Sequence, residues 1–158
     1  MKIAVVMGSK SDLPKLESGI KFIKRYGIEV VVRILSAHRT PEELTRFLEE
    51  IKDNTDVIIA AAGKAAHLPG VIAAQTLIPV VGLPIKSSTM DGMDSLLSIV
   101  QMPSGIPVAT VTIDSGMNAA LMAIQIASVK YPVLREKLAA YRKEMADKVL
   151  ADDASVEF

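Results

Sequence analysis

A three-layer α/β/α sandwich on a parallel sheet, of the flavodoxin or Rossmann type, is the fold this sequence predicts. Three observations predict it. Short apolar or β-branched runs alternate with helical segments along all 158 residues, which is the pattern of right-handed βαβ units. The first run is continuously apolar, as befits a strand covered on both faces. The length suits one domain, which at this size buries roughly 68–70% of its unfolded surface and folds without staples.

Ile3 to Met7 is the first strand and ends at Gly8. Asp12 or Ser11 then caps a helix that carries Pro14 in its first turn and Leu16, Ile20 and Ile23 on one face, with Gly27 as its stop. Ile28 to Leu35 is a β-branched second strand. Thr40-Pro41-Glu42-Glu43 opens the next helix, with Thr40 as cap and Glu43 completing a capping box. Leu44, Phe47, Leu48 and Ile51 follow at helical spacing. Val57 to Ala62 and Ile78 to Leu83 read as the third and fourth strands, with a short helix near Pro69 to Thr76 between them. Asp91 to Gln101 is helical, Pro107 to Ile113 is a fifth strand, and Gly116 to Val129 is an apolar helix. A last amphipathic helix of mixed charge, about Pro132 to Leu150, is expected to pack on a neighbouring subunit, and the acidic residues after it to fray. No repeat, low-complexity segment or linker interrupts the chain, so residues 1–158 are expected to form a single domain with an oligomerisation helix over about 130–150.

Composition excludes several classes of function. Lys plus Arg equals Asp plus Glu at 18 each, which argues against a nucleic-acid binder or a polybasic membrane protein. Without Cys there is no disulfide, thiolate metal site or Cys nucleophile. Six aromatic residues and no Trp leave little for base stacking. The N-terminus enters the first strand without a signal-peptide layout, so the cytoplasm is the expected location. Between Val57 and Val129 only Lys64, Lys86, Asp91, Asp94 and Asp114 are charged. A helix apolar all round must be covered on every side, and identical subunits are the economical cover. A homo-oligomer is expected.

Sheets of this type bind ligands at the carboxyl ends of their strands, and three polar turns fall there. Gly8-Ser9-Lys10-Ser11-Asp12 offers amides and hydroxyls to an anion at a helix start, although it is neither G-x-G-x-x-G nor a Walker loop and equally suits an ordinary capped turn. Ser36-Ala37-His38-Arg39-Thr40-Pro41 sets a His beside an Arg, an electropositive cluster for a phosphorylated ligand with His38 as proton carrier. Ala62-Gly63-Lys64-Ala65-Ala66-His67-Leu68-Pro69-Gly70 supplies amides and the second His, which also fits a locally bonded helix-start residue. His38, His67 and Asp12 lack the spacing of a metal site, and no nucleophile elbow accompanies Ser9 or Ser11. Met90, Met93, Met117 and Met122 read as packing. The loop Gln101 to Pro107 reads as a helix stop that could also line a pocket.

The order of motifs goes further. Met7-Gly8-Ser9-Lys10-Ser11-Asp12, Ser36-Ala37-His38-Arg39-Thr40-Pro41, Ala65-Ala66-His67-Leu68-Pro69-Gly70 and Asp94 to Pro103 closely resemble the class I N5-carboxyaminoimidazole ribonucleotide mutase (PurE) family of bacterial-type purine biosynthesis, from the first strand to about Tyr141. The resemblance implies a metal-free, cofactor-free isomerase, octameric, that moves a carboxylate from the exocyclic nitrogen of an aminoimidazole ribonucleotide to ring carbon C4. It implies His38 as the one general acid and base. Ser9, Ser11 and Ser36 would line the substrate, Asp12 would accept from ribose hydroxyls, and Arg39 would pair with the 5′-phosphate. Gly63, Ala66, His67 and Leu68 would surround the reacting carboxylate. The family usually has Gly where Lys64 stands; a Lys there either reaches the carboxylate or points to solvent. Related direct carboxylases, which consume free CO2, tend to carry Lys after the motif His and lack His-Leu-Pro-Gly, so Arg39 and His67 to Gly70 favour the mutase. A non-enzymatic nucleotide or FMN module would lack aromatic stacking partners in the edge loops, and a phosphoacceptor domain would need acidic residues where Gly8-Ser9 and Ala62-Gly63 stand.

Overall fold

The computed structural model describes residues 1–157. Five parallel strands, β1 (Lys2–Met7), β2 (Glu29–Ile34), β3 (Val57–Gly63), β4 (Val80–Ile85) and β5 (Ala109–Thr110), form one sheet in the order β2-β1-β3-β4-β5. Register runs Ile3 to Val30 and Val57 on either side of β1, and Ile59 to Val81 between β3 and β4. The chain leaves β1 for one edge and returns for the other, so a crevice opens beyond the carboxyl ends of β1 and β3.

Helices cover both faces. Ile3, Val5 and Met7 pack with Leu16 and Ile23 of α1 (Leu13–Arg25), Ala123 and Ile124 of α5 (Gly116–Lys130), and Leu134 of α6 (Val133–Ala154). Ala4 and Val6 face Leu44, Phe47 and Leu48 of α2 (Pro41–Ile51), Ile72 of α3 (Leu68–Ala73) and Ile99 of α4 (Met93–Val100). α1 and α5 meet backbone to backbone: a Cβ on Gly19 would overlap the Gly116 carbonyl oxygen, and one on Gly116 would overlap the Lys15 carbonyl oxygen. The apolar α5 is thus largely covered by its own chain, leaving Asn118 and, at its end, Val129 and Lys130 exposed.

Several local expectations are corrected. Asp12 stands at the N-cap of α1 but makes no side-chain cap bond there; the capping side chain is Ser9, which closes a capping box with Asp12 around a single 3-10 turn, Lys10–Asp12, that precedes α1. Thr40 stands at the start of α2 with Pro41 behind it, but no capping box with Glu43 forms. Its hydroxyl instead accepts from the Ser36 amide at 2.9 Å and donates to the Ser36 carbonyl at 3.2 Å, closing the preceding loop. β5 shrinks to two residues, although the Val111 and Asp114 amides still donate to Gly82 and Pro84 carbonyls. Pro84 faces β5 there and has no N–H to return. Met117 and Met122 pack on the core, whereas Met90 and Met93 are exposed. α6 runs to Ala154, past Leu150, so the start of the acidic tail is helical; Phe158 lies outside the described residues.

At the amino edge, Asp56 ties three segments. Its carboxylate accepts from the Lys2 amide at 2.9 Å, Lys130 Nζ at 2.9 Å and the Tyr131 hydroxyl at 3.1 Å. Burial alone would raise its pKa, but these hydrogen bonds outweigh burial and hold the carboxyl below its ordinary value. A depressed folded-state pKa stabilises above the unfolded value and loses that contribution as pH falls through the folded one. Asp56→Asn is therefore expected to lower Tm at pH 7 and to lose less stability than the native chain as pH drops below 3.8, read by thermal melts across pH. Parallel Tm profiles would refute the role.

Candidate active site

Four turns at the carboxyl edge of the sheet enclose a cavity of about 450 Å³, within the roughly 300–1,000 Å³ of small-ligand sites. Ser9, Ser11 and Asp12 come from the turn after β1, Ser36, His38 and Arg39 from the turn after β2, and Gly63, His67 and Leu68 from the turn after β3. All nine are residues to which the sequence points. Ala66 is the exception: its side chain is buried in the core with Leu68 and Ile72, beneath the loop instead of in the cavity wall. The fourth turn, Lys86-Ser87-Ser88 after β4, also lines the cavity and was missed. The available signal was its position, a Lys-Ser-Ser closing an apolar strand on the same edge as the other three turns. Met102 packs against Gly70, and the Gln101 to Pro107 loop does not reach this cavity. A larger hollow of about 770 Å³ at the amino edge contains neither His.

The two histidines meet. His38 Nε2 lies 2.9 Å from His67 Nδ1, with the rings edge to face. One nitrogen must donate and the other accept. The tautomer of one ring therefore decides the role of the other, and His67 sits at the start of α3, a helix opened by Leu68-Pro69.

Local hydrogen bonds set the remaining groups. Ser36 Oγ accepts from the amides of His38 and Arg39 at 3.3 and 3.2 Å, holding the turn tight under both side chains. Arg39 reaches across to donate to the Gly8 carbonyl at 2.8 Å, so the first two turns are tied. Asp12 is almost fully buried and accepts from the Ser9 amide at 3.2 Å and the Ser11 hydroxyl at 3.3 Å. Burial pushes its carboxyl above the ordinary value, more than the hydrogen bonds and Arg39 pull it back. A buried carboxylate short of donors is suited to accept from hydroxyls of a ligand.

Lys64 adopts a left-handed conformation, φ +57°, which costs a residue with a Cβ about 1–2 kcal/mol that glycine avoids. Its turn lines the cavity between Gly63 and Ala65. Among the described residues, no three His, Asp or Glu side chains converge as a metal site, and no helix is long and apolar enough to cross a membrane.

A family model described as AIR carboxylase matches residues 2–148. An N5-carboxyaminoimidazole ribonucleotide mutase of Pyrococcus abyssi is 53% identical, over 91% of this chain and 83% of its own. One from Methanocaldococcus jannaschii is 50% identical, over 98% of this chain and 97% of its own. The crystal structure of Treponema denticola PurE superposes with a TM-score of 0.91 at 31% identity, covering 99% of both chains.

Proposed function

The chain belongs to the AIR carboxylase family, and from that premise we propose that the edge cavity converts N5-carboxyaminoimidazole ribonucleotide to 4-carboxy-5-aminoimidazole ribonucleotide with His38 as the acid and base. It is an isomerase of purine biosynthesis, like its mutase relatives. The observation that carries the residue roles is the contact of His38 with His67 in a cavity that also holds Asp12 and Arg39.

The chemistry balances on one imidazole. His38 protonates the carbamate nitrogen as the N–C bond breaks and CO2 leaves. C4 of the ring then attacks the retained CO2, and His38, now neutral, removes the C4 proton as aromaticity returns. One proton is given and one recovered, so each cycle restores the starting state. CO2 held beside C4 replaces a bimolecular capture by a local one, which requires an enclosed site. His67 keeps the His38 tautomer in register. Asp12 accepts from the ribose hydroxyls, and Arg39, held by Gly8, meets the 5′-phosphate, with Ser9, Ser11 and Ser36 beside it. Gly63, Ala66 and Leu68 shape the carboxylate end, Ala66 through the backbone of its loop.

The reading extends to a cytoplasmic homo-octamer. Met93, Leu97 and Val100 form an exposed apolar stripe on α4, flanked by Met90. α6 beyond Tyr141 stands clear of the chain's own core with Met145, Val149 and Leu150 exposed. Both surfaces suit contact with further copies. Light scattering is expected to give eight chain masses; a monomer mass would sink the assembly.

The activity is tested with two substrate pools, freshly prepared N5-carbamate and aminoimidazole ribonucleotide with bicarbonate, both without ATP. Turnover of the carbamate pool alone is expected. Efficient turnover of the second pool would make the chain a direct carboxylase, and activity on neither would leave a binding module.

A further inference from the structure

We infer that Lys64 is a positioning residue whose ammonium pairs with the carboxylate that the reaction moves, an inference that rests on the mutase reading. Three cations line the cavity: Arg39, Lys64 and Lys86. Arg39 gives one N–H to the Gly8 carbonyl at 2.8 Å and, in the reading above, its remaining donors to the 5′-phosphate. Lys86 Nζ pairs with Asp91 at 3.1 Å. Among the described residues Lys64 has neither a carboxylate nor a hydrogen-bond partner, so its charge is free for an anion entering from solvent. Its backbone holds the left-handed conformation at φ +57°, where glycine would be the unstrained choice.

Position assigns the anion. Lys64 shares the turn after β3 with His67, which touches His38 at 2.9 Å. Its backbone therefore shares a turn with the imidazole that meets His38, while the Arg39 guanidinium reaches over to the turn after β1. The carboxylate is anionic in substrate and product but neutral as CO2 between them. An ammonium stabilises the two bound end states and gains nothing from the CO2 intermediate. Lys64 thus contributes to affinity and not to rate, and it biases the carboxyl group against escaping as CO2.

Affinities of 5-aminoimidazole ribonucleotide and of its 4-carboxy derivative for the native chain, Lys64→Met and Lys64→Gly test this, together with steady-state kinetics on the carbamate. The carboxylated ribonucleotide is expected to bind about three- to tenfold more weakly to both variants, with the non-carboxylated one unchanged. KM for the carbamate rises in step while kcat holds or increases, and Lys64→Arg restores affinity. Lys64→Gly relieves the backbone and melts higher, which separates the charge effect from stability. Equal loss for both ribonucleotides would assign Lys64 to the phosphate and overturn the inference. So would no loss for either, or a fall in kcat at constant KM. If the native chain binds neither ribonucleotide, the mutase reading fails as well, an outcome distinct from a native chain that binds both and variants that match it.

Discussion

His38→Asn is expected to lower kcat by about 10²–10⁴-fold while leaving ribonucleotide binding and Tm close to native. The residue is exposed in a turn and buries no core surface, so its removal belongs with surface substitutions, within about 0.5 kcal/mol in stability. Asn keeps a polar amide that can face His67 Nδ1, 2.9 Å from the present imidazole nitrogen. What it lacks is a group that gives a proton to nitrogen and takes one from carbon within a single turnover. Turnover at the native rate would show that another group carries the proton, and loss of ligand binding along with turnover would make His38 a binding residue.

Gly19→Ala is expected to be the most damaging of the conservative changes to the fold. Two effects oppose each other. Ala in place of Gly inside α1 gains about 1 kcal/mol in helix propensity. Against that, the new methyl overlaps the Gly116 carbonyl oxygen and approaches Ala120 Cβ to 3.2 Å. The first obstacle is backbone, so no rotamer change relieves it; α1 and α5 must separate, loosening Leu16, Ile23, Ala123 and Ile124 around them. Overpacking typically costs about 1–3 kcal/mol, and an obstacle made of backbone puts this clash at the upper end, so the clash wins with a net loss of about 2 kcal/mol and a Tm lower by roughly 4–8 °C. Ser18→Ala, one position away and exposed, should leave Tm nearly unchanged. Equal melting of the two variants would mean that the helices yield without loss.

Much of this was legible beforehand because it depends on local pattern. Apolar runs and helical spacing placed all five strands and every α-helix, and the carboxyl-edge rule gathered Ser9, Asp12, His38, Arg39 and His67 into one cavity. What was not legible depended on partners distant in the sequence or on competing bonds. Thr40 satisfies a capping rule by sequence, yet its hydroxyl closes the Ser36 loop. Ser9 rather than Ser11 caps because Asp12 can return the bond to the Ser9 amide. Met93 looked like core because nothing in its spacing says which side of α4 the sheet occupies, and Met90 lies in the turn before that helix. The His38–His67 contact joins residues on different turns, and only the parallel pairing of β1 with both β2 and β3 brings those turns together.

The backbone contact of α1 with α5 also sets a clock. Gly19 and Gly116 are nearly a hundred residues apart in the chain, so at about 5–20 residues per second the ribosome needs roughly 5–20 s to deliver the second after the first. Until then α1 has no partner for its glycine face, and the side of β1 that α1 shares with α5 is only partly covered. Such a distant closing contact also slows refolding of the complete chain, because loop closure must precede the contacts that reward it. The nascent N-terminal half spends that interval as an open layer, which is when a chaperone would find it.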